Sequence, residues 1–396
     1  MITKAQKHFN LPPPDEESVE QSRLVAAHIH QKLINSGGSI SFAEYMHEVL
    51  YAQGLGYYAS GTAKFGANGD FVTGPEISSL YGCVLATQFA SLRSKLDSFC
   101  ILELGAGSGE LAVQLLRRLA VLDSLPEEYL ILEISADLMD RQQVKLAAEI
   151  PDFIDRVRWV AQLPENFCGI VIANEVADAI TVERFRIENS AVLQGRVVSS
   201  GESFNLVYEA APAFLEQFVR KIESDLSVSL NHGFQSEVSP ALHDWIKKIA
   251  ASVEQGIILI IDYGATRREY YAPDRCNGWL QCHFRHHAHD DAFILPGIQD
   301  LTAWVDFSGL AEAAVAAGME VVGYSDQANF LLNGGILNQL KDFSRLSHER
   351  QIELSGQVKR LTLPEEMGEN FKFMGLSRGN IGPFPAFAGC DKTHHL

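Results

Sequence analysis

In the middle of this chain a short apolar run ends in Glu103-Leu104-Gly105-Ala106-Gly107-Ser108-Gly109 and passes directly into a helical stripe of Leu111, Ala112, Leu115, Leu116 and Leu119. A strand, three spaced glycines and then a helix restrict the fold more than any other feature of the sequence. Glycines permit the tight turn and let a ligand lie against bare backbone at a helix N-terminus. The run Phe99–Leu104 is followed by others at Tyr129–Leu132 and Val157–Val160, with starts 30 and 28 residues apart, then at Gly169–Ala173 and Ile257–Ile261. That spacing is the rhythm of βαβ units, and uninterrupted apolar runs suit strands covered on both faces of a parallel sheet. Val321–Tyr324 and Phe371–Leu376 are expected to close the sheet as a final pair. The fold class is α/β, with a Rossmann-like sheet.

The flanking sequence is organised differently. Residues 1–18, with Pro12, Pro13 and Pro14 ahead of acids, read as a flexible tail. Residues 19–95 form an N-terminal helical and loop segment, in which Ser41 and Glu44 resemble a capping box. Its glycine- and aromatic-rich stretch, Gly54 to Ser78, reads as an ordered functional loop. Alternating runs (ERFRIE, FNLVYEA) and a helix mark 181–254 as an inserted α+β lobe. The core is then 96–180 with 255–380, and 381–396 is a C-terminal tail.

The balance of 32 basic against 50 acidic residues, a net charge of −18, opposes binding to phosphate backbones and anionic lipids. We therefore expect no nucleic-acid partner. No run approaches the ~18 apolar residues of a membrane span, so no membrane partner is expected either. Six scattered cysteines without C-x-x-C pairs, and an N-terminus without an apolar targeting core, lead to a cytoplasmic expectation.

The glycine spacing separates possible ligands. Dinucleotide sites use G-x-G-x-x-G; here it is G-x-G-x-G, and Glu110 stands where a third glycine would meet a pyrophosphate. No Lys-[Ser/Thr] follows, which excludes a P-loop. A cofactor without phosphates fits better, and S-adenosyl-L-methionine offers an ammonium, a carboxylate, a sulfonium and a ribose. Glu103 would lie near its cationic part. Glu133, ending the second strand, would accept from both ribose hydroxyls.

Asn174-Glu175-Val176-Ala177-Asp178 ends the fourth strand, where open α/β sheets bind ligands. Glu175 and Asp178 could grip a guanidinium bidentately and align one nitrogen with the sulfonium. Equally, Asn174 could cap a helix whose dipole favours the two acids. Both readings stand. A second polar cluster runs from Cys282 to Asp291. Its spacing matches no structural zinc pattern, so no metal is expected. It reads as a loop in which His289 and Asp290 pair to orient a substrate group or take its proton, or as an exposed loop without a role.

Together these segments resemble the MidA-like family of class I S-adenosylmethionine-dependent methyltransferases. The likeness runs from about Ser41 to Arg378 and rests on GLGYY, KFGANGDFVTGPEIS, LELGAGSG, ANEVADAI, HHAHDD, GIQDLTAWVDF and MGENFKFMGLSRG in order. It implies protein arginine methylation, and, from the family's mitochondrial members, a role in assembling respiratory complex I. The protein substrate would then be a respiratory complex subunit, though the missing presequence favours a bacterial-type member whose partner need not be one. A homodimer is compatible with it. Val176-Ala177-Asp178-Ala179-Ile180-Thr181 keeps the family's acid but lacks its Leu-Pro, a departure at the substrate pocket. On this reading Glu103, Gly105, Gly107, Gly109, Glu133 and Asn174 hold the cofactor, and Asp70, Thr73, Pro75 and Glu76 close over it. Glu175 and Asp178 position the acceptor, and His289 and Asp290 assist. The alternative is an assembly factor that binds the cofactor without turnover.

Overall fold

The computed structural model describes residues 11–59, 72–340 and 342–396. The chain divides into two compact units, each built from separated segments: Val72–Ala177, His243–Ala265 and Val305–Leu396 form the larger, and Met1–Phe71, Asp178–Leu242 and Thr266–Trp304 the smaller. Among the described residues no helix is long and apolar enough to cross a membrane.

The larger unit is built on the strands β1 (Cys100–Leu104), β2 (Tyr129–Leu132), β3 (Val157–Val160), β4 (Phe167–Asn174), β5 (Val253–Ala265), β6 (Glu320–Asp326) and β7 (Phe371–Arg378). They lie in the order β6-β7-β5-β4-β1-β2-β3, and a short strand, Val305–Asp306, pairs with the end of β5. The pairs among β1 to β5 are parallel, while β7 runs antiparallel between β5 and β6. The apolar runs explain the layering. Ile170, Val171 and Ile172 on β4, and Ile257 through Ile261 on β5, are all fully buried, as strands covered on both faces must be.

The predicted stripe of the Glu110–Val121 helix is buried at Leu111, Ala112, Leu115, Leu116 and Leu119. Each such leucine contributes roughly 1.5–3 kcal/mol on burial. The neighbouring helix, Ser79–Leu92, approaches closely because Gly82 has no side chain: a Cβ there would sit 2.4 Å from Cβ of Gln114. Residues 381–396 are not a tail. Ile381, Phe384, Ala386 and Phe387 are buried in this core, and Phe384 packs on Phe89 with ring centroids 5.7 Å apart. The apolar run IGPFPAF has that surface to bury.

In the smaller unit, strand Ala191–Ser200 is central to an antiparallel sheet with Ser39–Ser41, Glu183–Glu188, Ser203–Ala210 and Gln235–Val238. ERFRIE alternates buried and half-buried residues with period two, as its pattern predicts. The Glu16–Asn35 and Phe42–Tyr51 helices pack here, the second begun by the expected Ser41/Glu44 capping box. The helix from Glu16 and the buried Leu11 shorten the expected 1–18 tail.

The N-terminal helices and the lobe thus form one unit rather than two. Thr266–Trp304, expected in the core, also belongs with the lobe. The reason is local: the Glu237 carboxylate accepts from the Trp279 amide (2.8 Å), its carbonyl accepts from the Tyr271 hydroxyl (3.0 Å), and Gln235 N–H donates to the Cys276 carbonyl.

Candidate cofactor and acceptor sites

The glycine turn leaves β1 with Gly105, Gly107 and Gly109 at φ of 63°, 53° and 76°, in the left-handed region that disfavours other residues. Gly109 also faces a tight wall, since a Cβ on it would lie 2.7 Å from Leu146 Cδ1. The loop is therefore bare backbone by necessity. Glu110 opens the following helix and forms a salt bridge with Lys145 at 2.6 Å, which holds its carboxyl below the usual range against the effect of burial. The charge that argued against a pyrophosphate is thus largely balanced, and the glycine spacing carries that argument.

Glu133, at the end of β2, is buried. One of its oxygens accepts from the Ser135 amide (3.0 Å) and the other from Gln142 Nε2 (3.0 Å). The same Gln142 nitrogen donates to the Gly107 carbonyl (2.9 Å), and Gln142 Oε1 accepts from Trp159 Nε1 (2.9 Å). Sequence reading missed Gln142 and Trp159 because neither belongs to a motif. Glu103 is buried beside Tyr129, whose hydroxyl donates to it at 2.7 Å. Burial raises its pKa to about 7, with the Tyr129 hydrogen bond opposing and the Glu133 charge adding.

Thr73 begins the one-turn helix Gly74–Ile77, and its amide donates to the Glu76 carboxylate at 3.2 Å. Pro75 is buried, and its carbonyl accepts from Gln114 Nε2 (2.7 Å). Asp70 lies outside the described residues. Asn174 Oδ1 accepts from the Tyr81 hydroxyl (2.7 Å), and its Nδ2 donates to Glu175 Oε1 (3.1 Å). It caps no helix, since the chain turns irregularly after β4. Glu175 itself sits at φ 56°, and Gly74 N–H donates to its Oε1 at 3.1 Å. Another residue missed in the sequence, the fully buried Asp262 on β5, accepts through Oδ2 from the amides of Val176 (3.1 Å) and Ala177 (2.8 Å). The turn is fixed from β5, not by helix formation.

Asp178 falls in the smaller unit, three residues of chain beyond Glu175. It is buried, and its carbonyl accepts from the Ala303 amide at 2.9 Å. Close by, the Tyr58 hydroxyl donates to Asp300 (3.0 Å) and the Tyr51 hydroxyl to the Ala179 carbonyl (2.9 Å), with the two rings stacked. Burial raises both tyrosine pKa values, and the charges of Asp300 and Asp178 add to the rise.

His289 does not lie in a loop as expected: Gln281–Phe284 and His287–His289 form a hairpin, with Arg285 and His286 both at positive φ in its turn, whereas Asp290 follows it in a bend. His289 Nδ1 accepts from the Asp291 amide (3.3 Å), and the next residue along, Asp290, is exposed. Burial lowers the His289 pKa, and the charges of Asp291 and Asp290 oppose that shift.

These residues fit an S-adenosylmethionine site. The loop is a cradle that a Cβ would fill, and carboxylates at the ends of β1 and β2 suit a cation and a diol. Sheet order, glycine turn and strand-end acids define a Rossmann-like class I methyltransferase. The chain belongs to the MidA-like family of these enzymes, and residues 82–325 match the family described as "Putative S-adenosyl-L-methionine-dependent methyltransferase". A crystal structure of a Burkholderia thailandensis protein bound to S-adenosyl-homocysteine is 37% identical, with a TM-score of 0.92 over 98% of this chain and 100% of that one. The mouse mitochondrial protein arginine methyltransferase NDUFAF7 is 31% identical over 87% of this chain and 82% of its own. Its Drosophila melanogaster homologue is 28% identical over 93% and 89%. The protein is an S-adenosylmethionine-dependent methyltransferase.

Proposed function

We propose that this enzyme methylates an arginine side chain of a protein partner in the cytoplasm. The observation that carries the reading is Glu175: a non-glycine residue held at φ 56° where β4 ends, its carboxylate located by the Gly74 amide and Asn174. Backbone strain of this kind costs on the order of 1–3 kcal/mol and persists where surrounding structure enforces it, often at functional sites. Bound cofactor supplies an electrophilic methyl on its sulfonium. Gly105, Gly107 and Gly109 give it backbone to lie against, Glu133 accepts from the ribose, Glu103 faces the cationic end, and Asn174 sits beside them. Thr73, Pro75 and Glu76 cover it. The Glu175 carboxylate would hold the guanidinium and turn a single nitrogen toward the methyl, and Asp178 is the second acid of this reading. Burial lowers the His289 pKa and so favours the neutral imidazole; with Nδ1 taken by the Asp291 amide, its part is to orient a substrate group rather than to take a proton, with Asp290 beside it in the chain.

The names of the NDUFAF7 relatives support arginine as acceptor. Transfer of a labelled methyl group from the cofactor into host lysate, followed by mass spectrometry of the labelled protein, tests the proposal. Labelled methylarginine is expected. Label on another residue type would overturn the acceptor, and cofactor binding without any transfer would favour a docking factor.

A further inference from the structure

Gln142 is fully buried on the Ala136–Glu149 helix, and both hydrogens of its amide are used: Nε2 donates to Gly107 O at 2.9 Å and to Glu133 Oε2 at 3.0 Å. An amide could also sit flipped, with its oxygen toward those two acceptors. Trp159 forbids this. An indole N–H can only donate, and Trp159 Nε1 points at Gln142 Oε1 from 2.9 Å. With the oxygen committed to the indole, the NH2 group must face the glycine loop and the acid. A flipped amide would set its oxygen against a carbonyl and a carboxylate, and the half-buried indole N–H would lose its acceptor.

We propose that Gln142 is a positioning residue that locks the Gly107 carbonyl and the Glu133 carboxylate into one frame for the nucleoside half of the cofactor, and that Trp159 acts on binding only by fixing the direction of the Gln142 amide. The inference rests on Glu133 as the ribose acceptor. Gln142 also packs beneath the loop, since a Cβ on Gly109 would lie 3.6 Å from Gln142 Cγ. The loop, the end of β2 and the middle of β3 thus meet at one side chain.

The test is calorimetric titration of the full chain with S-adenosyl-homocysteine, with thermal unfolding as a check on each variant. Trp159→Phe keeps a ring but removes the donor, and its dissociation constant should rise by about fivefold, the scale of one neutral hydrogen bond. Gln142→Met keeps the length but removes all three bonds, and should weaken binding by about thirtyfold. In the Gln142→Met background, Trp159→Phe should then change nothing, because the tryptophan has lost what it acts through. An independent fivefold loss there, or unchanged binding by folded Trp159→Phe, would overturn the proposal. Glu133→Ala, run in parallel, separates the two levels: wild-type affinity in that variant would sink the ribose assignment itself. Weakened binding there beside an intact Trp159→Phe would sink only the positioning role. If Gln142→Met fails to fold, Gln142→Asn takes its place, with the same demand that Trp159→Phe add nothing.

Discussion

The two units assemble their polar residues by opposite routes. In the larger one, candidate cofactor ligands follow strand ends in chain order: Glu103 on β1 and the glycines after it, Glu133 after β2, Asn174 at the end of β4. In the smaller one, Tyr58 reaches Asp300 across 242 residues, and no strand-turn-helix signature announces either. A parallel α/β sheet gathers loops at one end automatically, so a cofactor site there can be written locally. An antiparallel lobe has no such end and must draw its polar groups from distant segments. The lesson is a division of labour: changes in the first set should move cofactor affinity, and changes in the second should move turnover or stability.

The strongest challenge to that division is Glu175→Gln with Asp178→Asn, one residue from each unit. Shape is kept and two negative charges are lost. Methyl transfer should fall by roughly two to four orders of magnitude, as when positioning fails, while calorimetry shows S-adenosyl-homocysteine binding retained. Equal loss of binding would place these acids in the cofactor site.

Next in size is Gly107→Val, which forces a β-branched residue to φ 53°. Binding should weaken by about a hundredfold or more, on the scale of several lost contacts plus backbone strain. Tight binding by a folded variant would break the loop assignment.

Glu103→Gln sharpens the comparison through pH. With its folded pKa raised to about 7 from an ordinary 4.5, the native state holds a proton over that interval which the unfolded chain has released. Stability of the ligand-free protein therefore falls as pH rises from about 4.5 to about 7, by about 3 kcal/mol. Glutamine stays neutral and still accepts from Tyr129, so melting temperatures of the variant should lose that slope and exceed wild type at pH 8. A parallel shift of the two curves would refute the burial effect.

The smallest effect is expected from Tyr58→Phe. Asp300 loses one donor at a buried carboxylate, costing about 1–2 kcal/mol, seen as a lower denaturation midpoint with the cofactor dissociation constant unchanged. A change in that constant would show that the division between units is not clean.

Much of the larger unit could be read from the sequence, because burial on both faces and the βα rhythm leave local marks. The sheet strands, the Glu110–Val121 stripe and the glycine turn all appear where patterning puts them. What could not be read is second-neighbour chemistry. Gln142, Trp159 and Asp262 look like ordinary helix or strand residues until the fold places them against Glu133, Gly107 and the turn after β4. Likewise, nothing in the run from Thr266 to Trp304 reveals that it belongs with the lobe. That follows from Glu237, whose partners lie more than thirty residues on. The hairpin at Arg285-His286 leaves little mark in the sequence because it lacks the Asn-Gly pair that usually signals such turns.

One feature of the sheet bears on how the protein is made. The last strand in sequence, β7, lies between β5 and β6 and is bonded to both. During synthesis β5 and β6 are therefore complete well before the strand that joins them, and each carries an open edge until Phe371–Arg378 emerges. Such late, long-range pairing slows folding and leaves intermediates that can aggregate. A nascent or prematurely terminated chain ending before Phe371 would present two unsatisfied sheet edges at the centre of the fold, an inviting substrate for chaperones and proteases.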